Sequence, residues 1–445
     1  MPTTATIPVR TLGKKPAQQA SLAYGALVVF TFLYYYRPSD FIPGLGFIPM
    51  EKIIGGIALA ALLVSLATKD RTEIPMAVKV LMLMFVQMLV ASAFAVWKGG
   101  AFSTTIEKFS KGVIVAMLIG MIVSSISQMR RLFLIQATAV TLIAAASVLV
   151  NRQLEGRLEG IQKGILENPN DLAINIAITF PLCVAFLLAS KGLLKKAFWT
   201  VGIVFMLYAV KATASRSGLI AMIISGMICF WAYGINGKRR GIVVSAILIA
   251  VVGVVLLASS TTYRARVVSI FAGNIENSGD RGSLDKRSAL LKESIRQTAL
   301  HPFFGVGPGC FPMFSDHWQV AHNTYTEISA ESGILGLSLF LLALTGAFRN
   351  VKKLRSSPGY QKDPELRLFT DALWASLAAY VSGAAFSSTE YNLFCYFIIA
   401  YTCSLYRIGF SPVYGELDPE PEVKKSKWTR LPSGAPETDK LAWTR

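Results

Sequence analysis

All three histidines, His301, His317 and His322, fall in one stretch, HPFFGVGPGCFPMFSDHWQVAHNTYTEISAESGILGL, of a 445-residue chain. Histidine exchanges protons near neutral pH more readily than any other side chain, so acid–base chemistry has one natural place here. His322 opens HNTYTEISAESG, and helical spacing puts His322, Tyr325 and Thr326 on neighbouring positions of one face. A histidine there can deprotonate a hydroxyl nucleophile. It can equally cap the helix or hydrogen-bond the loop. His301, set before Pro302 and a glycine turn, reads as structural, and His317 has no assignment.

A second group is TASRSGLIA, with Arg216 where one apolar run gives way to the next. A guanidinium offers paired hydrogen bonds to phosphate oxygens, and a helix N-terminus adds partial positive charge at the same point. Lys211, just before it, can assist. An arginine at a membrane interface can also simply snorkel to water. Arg281 and Arg287 bracket the start of SLDKRSALLKESIRQTAL and can add charge to the same cavity; for Arg281 ordinary solvated charge is the plainer reading.

GVGPG, Gly305 to Gly309, lacks both the GxGxxG spacing and the Walker Lys-Ser/Thr ending, so it reads as a tight turn rather than a nucleotide loop. Metal chemistry has little support, since HExxH and paired cysteines are missing from the sequence and DxD-like acidic clusters from its outer loops. No cofactor is expected. A diphosphate leaving without a metal needs fixed cations, a part open to Arg216 and Arg287.

The elements that must position these residues are apolar. The chain is 53% hydrophobic and only 16% charged, with a mean hydropathy of +0.50, whereas soluble domains carry about a quarter charged residues. The formal net charge of +18 would suggest nucleic acid if it formed one patch. Instead it recurs in short clusters between apolar runs, as in cytoplasmic loops of membrane proteins. No nucleic-acid partner is expected.

Runs long enough to cross a bilayer lie near 21–36, 50–68, 75–97, 109–128, 132–150, 172–190, 196–214, 217–235, 241–260, 331–348, 368–387 and 391–409. The expected fold is therefore an all-α polytopic membrane protein with about twelve transmembrane helices. With a cytoplasmic N-terminus, Lys69 and Arg71, Arg130 and Arg131, Lys191 with Lys195 and Lys196, Lys238 to Arg240, and Arg349 to Arg355 all fall inside. Lys79 and Asp371 lie close enough to inner ends to snorkel. Arg10, Lys14 and Lys15 precede a first apolar segment that ends in YYYRPSDF without a small-residue cleavage site, so it reads as a retained span.

The organisation that follows is a cytoplasmic segment 1–20, a bundle 21–260, a large periplasmic loop 261–330, a bundle 331–410 and a disordered cytoplasmic tail 411–445. Within the large loop, Leu284, Leu291 and Ile295 recur at helical spacing, which predicts an amphipathic helix along the outer membrane face. A lipid-resting helix without a catalytic part fits the same pattern. Of the five cysteines only Cys310 lies in a loop, and no disulfide framework is expected.

SRSG with Arg216, Arg287 followed by HPFFGVGPGCF, and above all HNTYTEISAESGILGL resemble the signature of the bacterial O-antigen ligase and polymerase superfamily. YYYRPSDFIPGLGF and ENPNDLAINIAITFPL are similar to its exosortase-associated O-glycosylation ligase branch, and the resemblance runs from 34 to 348. It implies a GT-C-like glycosyltransferase of the bacterial inner membrane. Such an enzyme takes a glycan from undecaprenyl diphosphate on the periplasmic face and passes it, with inversion, to a hydroxyl of a glycan, lipid or protein acceptor, without metal or nucleotide. Carried over by motif, His322 is the base or acceptor-orienting residue and Arg216 and Arg287 hold the diphosphate. Lys211, Tyr325 and Arg281 join them as substrate-binding candidates. The family's loop helix often carries an aromatic where this chain has Leu291. A polysaccharide polymerase on the same carrier shares the fold and chemistry. A lipid-linked glycan flippase or transporter is a rival of another class, although such proteins place their charges and broken helices at mid-membrane.

Overall fold

The computed structural model describes residues 18–38, 50–68, 73–154, 156–161, 166–237, 241, 278–315 and 318–415. These residues form helices with one small hairpin. The helices are α1 (Gln18–Tyr36), α2 (Met50–Thr68), α3 (Met76–Ala93), α4 (Lys98–Ser103), α5 (Ser110–Ile122), α6 (Ile126–Val150), α7 (Pro169–Ala189), α8 (Leu193–Ala212) and α9 (Arg216–Cys229). Further along the chain come α10 (Ser278–Leu300), α11 (Thr324–Leu354), α12 (Pro364–Ala384) and α13 (Leu393–Gly409). A π-turn at Thr104–Phe109 joins α4 to α5, and another extends α9 to Ile235. Arg157 and Leu158 pair antiparallel with Leu154 and Gln153 in the outer loop before α7.

Among the described residues six helices are long and apolar enough to cross a membrane: α3, α6, α7, α8, α9 with its extension, and α11. α1, α2 and α13 contribute shorter apolar stretches. The expected run 241–260 lies outside the described residues. The run expected at 109–128 ends early, because the helix stops at Ile122 and Ser125 caps the next one, accepting from the Gln128 N–H at 3.3 Å.

The middle of the bundle is α7, packed on α6, α8, α9 and α12. α11 packs between α3, α12 and α13, and α10 lies across its outer end. A relay of buried rings crosses the whole assembly. It steps from Tyr35 to Phe397 (centroids 5.2 Å apart), Tyr401 (5.8 Å), Phe133 (4.8 Å), Phe369 (5.0 Å), Phe186 (5.2 Å) and Trp199 (5.1 Å). Such pairs add about 0.5–1.5 kcal/mol each beyond their burial. Where backbones approach more closely, glycine is required: a Cβ on Gly202 would meet the Thr141 methyl at 2.4 Å, and one on Gly218 the Ala173 Cβ at 2.2 Å.

Polar ties mark one end of the bundle. Arg130 at the start of α6 pairs with Glu365 at the start of α12 (3.2 Å). At the end of α11, Arg355 bonds Asp371 through Nε (3.2 Å) and Nη2 (3.0 Å), and Tyr360 adds its hydroxyl. Asp371 is thus a buried acid paired with Arg355 and Tyr360, not a snorkelling one. Lys79, on α3, is exposed.

The tail differs from expectation at its beginning. Residues 412–415 form a helical turn docked on 358–362, where Lys362 donates to the Tyr414 carbonyl and the Tyr414 hydroxyl donates to Asp363, both at 2.9 Å. The rest of the tail, like the segment 1–17, lies outside the described residues. Gly218→Ala is expected to push α9 off α7 and cost about 1–3 kcal/mol, read as a lower midpoint of thermal unfolding in detergent.

Candidate active site

The outer end of α9 is held by a network of short polar side chains. Ala214 takes a left-handed backbone (φ 47°), which turns α8 into α9. Ser215 caps α9 by accepting from the Gly218 N–H at 3.2 Å, and its hydroxyl donates to Asn170 Oδ1 at 2.9 Å. Arg157, from the hairpin, reaches the same Asn170 oxygen (2.8 Å) and the Thr213 carbonyl (2.9 Å). Arg216 is the first residue of α9 and only half-buried, on a backbone fixed from both sides. Its guanidinium sits where the helix adds positive potential.

α10 brings Arg287 to that place. The helix spans the predicted amphipathic segment. Leu290 is buried against Phe311, Ala321 and Ala330, and Ser294 and Gln297 are buried beside it, while Leu291 and Ile295 are exposed. The buried stripe is partly polar because it lies on the polar head of α11, where Thr298 and Ser329 hydroxyls meet at 2.8 Å. The exposed apolar residues Leu291, Ile295 and Leu300 point away from the bundle. The side chains of Arg281 and Leu284 lie outside the described residues.

α11 is two helices joined at Gly333, whose φ of 71° and ψ of −178° break the ladder. Four backbone groups around the break find partners outside the helix. The Ser332 carbonyl accepts from Gln87 Nε2 (2.6 Å), those of Ala330 and Glu331 accept from Val306 (2.8 Å) and Gly307 (2.9 Å), and the Ile334 N–H donates to Pro302 (2.8 Å). The glycine turn is what fits into this break. Gly305, Gly307 and Gly309 all have positive φ, and a Cβ on Gly305 would stand 2.3 Å from the Glu331 backbone. GVGPG therefore carries the chain from α10 back to α11, as its composition predicts.

His322 precedes the α11 cap and is not part of the helix. Its backbone is left-handed (φ 54°), and Asn323 is the cap, accepting from the N–H groups of Tyr325 (3.0 Å) and Thr326 (3.2 Å). The shared face expected for His322, Tyr325 and Thr326 is therefore not formed; an Asn takes the capping role, which frees the histidine from it. Tyr325 turns inward, donating its hydroxyl to the Val381 carbonyl at 2.9 Å. Lys211 lies in the last turn of α8 with its ammonium 5.9 Å over the Tyr208 ring. His301 ends α10 through backbone bonds to Gln297 and Gly305, both 2.9 Å, consistent with a structural role. His317 lies outside the described residues.

Arg216, Arg287 and His322, contributed by three separate elements, act on one another electrostatically. Burial and then the charge of Arg287 depress the His322 imidazole to about 4. Arg287 itself is lowered by burial and by Arg216. At neutral pH the group is two guanidiniums beside a neutral imidazole, so it favours an anion and offers a nitrogen lone pair. Among the described residues no cluster of three or more His, Cys, Asp or Glu is placed to hold a metal ion, and all five cysteines are free and buried.

The residues that sequence reasoning passed over are acids. Glu327 and Glu331 are buried on α11, and Glu390 is buried in the loop between α12 and α13, with Oε2 lacking a hydrogen-bond partner among the described residues. Glu327 Oε2 accepts from the Ala321 N–H (3.1 Å) and from the Ser388 hydroxyl. Glu331 accepts from the Phe311 N–H (3.1 Å) and the Tyr391 hydroxyl (2.5 Å). Burial, Glu327 and Glu331 together push the Glu390 carboxyl well up. The available signal was the spacing of Glu327 and Glu331 by four in an otherwise apolar stretch, since ionisable residues inside such runs are rarely idle.

No curated protein matches the chain. Residues 201–341, which contain Arg216, Arg287 and His322 but not the loop bearing Ser388 and Tyr391, match the family model described as O-antigen ligase. Over that stretch, about a third of its length, the chain is similar to the O-antigen ligase family, and the six long apolar helices among the described residues suit a multi-pass membrane protein.

Proposed function

We propose that the protein is a membrane glycosyltransferase that moves a glycan from undecaprenyl diphosphate to an acceptor hydroxyl on the periplasmic face of the inner membrane, with inversion. The observation that carries this reading is the convergence of Arg216, Arg287 and His322 at one end of the bundle, on a chain whose O-antigen ligase domain holds all three. The arginines bind the diphosphate. The acceptor oxygen attacks the anomeric carbon from the side opposite the carrier, the C1–O bond to the diphosphate breaks, and its electron pair stays on the diphosphate oxygen. His322 takes the acceptor proton as the new bond forms. The charge growing on the leaving group is met by cations already in place, which spares reorganisation at the moment of reaction.

The electrostatics give this order of events a physical basis. In the empty site the imidazole is a weak base, because burial and Arg287 both oppose its protonation. A diphosphate between the arginines offsets that opposition and strengthens the base when a donor is present. Exposed Leu291, Ile295 and Leu300 on α10 suit a helix seated at the lipid surface, close to where a polyprenyl carrier emerges.

His322→Ala and Arg216→Ala are each expected to leave the protein inserted and to lower transfer by about 10²–10⁴-fold, measured with purified undecaprenyl-diphosphate glycan in liposomes. Full activity in both variants overturns the site. Running protein, lipid and glycan acceptors side by side separates ligase from polymerase.

A second expectation concerns pH. kcat/KM reports the free enzyme, so its acid limb is expected to fall near pH 4, well below the ordinary histidine value. In Arg287→Gln that limb moves upward, because one of the two causes of the depression is removed. An acid limb unmoved by this substitution, in an enzyme still active enough to measure, contradicts the coupling.

A further inference from the structure

His322 has neighbours on both sides that are tied down, and most of the ties come from one place. On its N-terminal side the Ala321 N–H donates to Glu327 Oε2 at 3.1 Å. On its C-terminal side Thr324 donates to the Ser387 carbonyl through both N (3.1 Å) and Oγ1 (2.7 Å), and the Thr389 N–H donates back to Thr324 Oγ1 at 2.9 Å. Ser388, between these two residues, donates its hydroxyl to the same Glu327 oxygen that holds Ala321. A single buried carboxylate oxygen thus joins the loop before His322, the helix after it and the segment 387–389. The left-handed backbone of His322 is unfavourable for a residue with a side chain, so it persists only while these bonds determine it.

We propose that Glu327, braced by Ser388, is a positioning residue for His322, so that the loop between α12 and α13 aims a base carried by a different part of the chain. The proposal rests on His322 acting as the base. Glu327 itself touches no substrate. Its oxygen fixes where the Cα of residue 322 stands and which way its side chain leaves, and misplacement by about 1 Å costs rate far more than binding. The segment 387–391 lies outside the matched residues 201–341.

The experiment is a double-mutant cycle in reconstituted full-length protein, with donor KM and kcat measured separately. In the native background Glu327→Ala is expected to lower kcat about 10- to 100-fold with donor KM unchanged, and Ser388→Ala to lower it less. Glu327→Gln, whose amide oxygen can still accept both bonds, restores most of the activity. In a His322→Ala background Glu327→Ala is expected to change the residual rate less than twofold, because its effect passes through a side chain no longer present. An equal loss in both backgrounds makes Glu327 a general structural brace and overturns the proposal, as does full activity of Glu327→Ala. Should Glu327→Ala fail to insert, Ser388→Ala carries the same cycle. Full activity of His322→Ala alone strikes the base assignment instead, which separates that failure from this one.

Discussion

Two buried acids hold the loop before α11 to the bundle. Glu327 accepts the Ala321 N–H and Glu331 accepts that of Phe311, so the two ends of the segment from the glycine turn to His322 are anchored on one helix. A buried carboxyl group without partners is costly, and here backbone N–H groups and the Ser388 and Tyr391 hydroxyls supply them. The arrangement is exacting: neither acid can give up a donor without leaving a buried oxygen unpaired, and neither loop end can leave without abandoning an acid.

The break at Gly333 follows from the same constraint. A continuous helix would satisfy its own backbone and offer nothing to the loop. By interrupting the ladder, α11 exposes the carbonyls of Ala330, Glu331 and Ser332 to Val306, Gly307 and Gln87. The glycines of the turn are there because a side chain at Gly305 would strike that backbone. The arginines depend on this indirectly, since α10 reaches Arg216 only because its C-terminus is led back into the break.

Much of this was legible in the residues. The apolar runs mark their helices by length alone, and SRSG, the loop helix and the histidine motif name three residues that the structure brings within electrostatic reach of one another. The orientation of α10 was not legible. Periodicity finds an apolar stripe but not what it faces, and among the described side chains the protein buries Ser294 and Gln297 while Leu291 and Ile295 stay exposed. The capping role of Asn323 was hidden for a different reason. Histidine and asparagine are adjacent, and only the backbone angles tell which one begins the helix. Glu327 and Glu331 were visible as residues but not as anchors, because their partners are backbone groups and hydroxyls up to 61 positions away.

The loop between α12 and α13 enters the chain after every residue of the reactive group. During synthesis the ribosome delivers Arg216, Arg287 and His322 well before Ser387, Ser388 and Thr389, and domains form from the N-terminus onward. A nascent chain can therefore hold both guanidiniums and the imidazole while the bonds from 387–389 that fix the histidine are still unmade. The backbone of residue 322 is then held from both sides only once α12 and α13 have packed against α11.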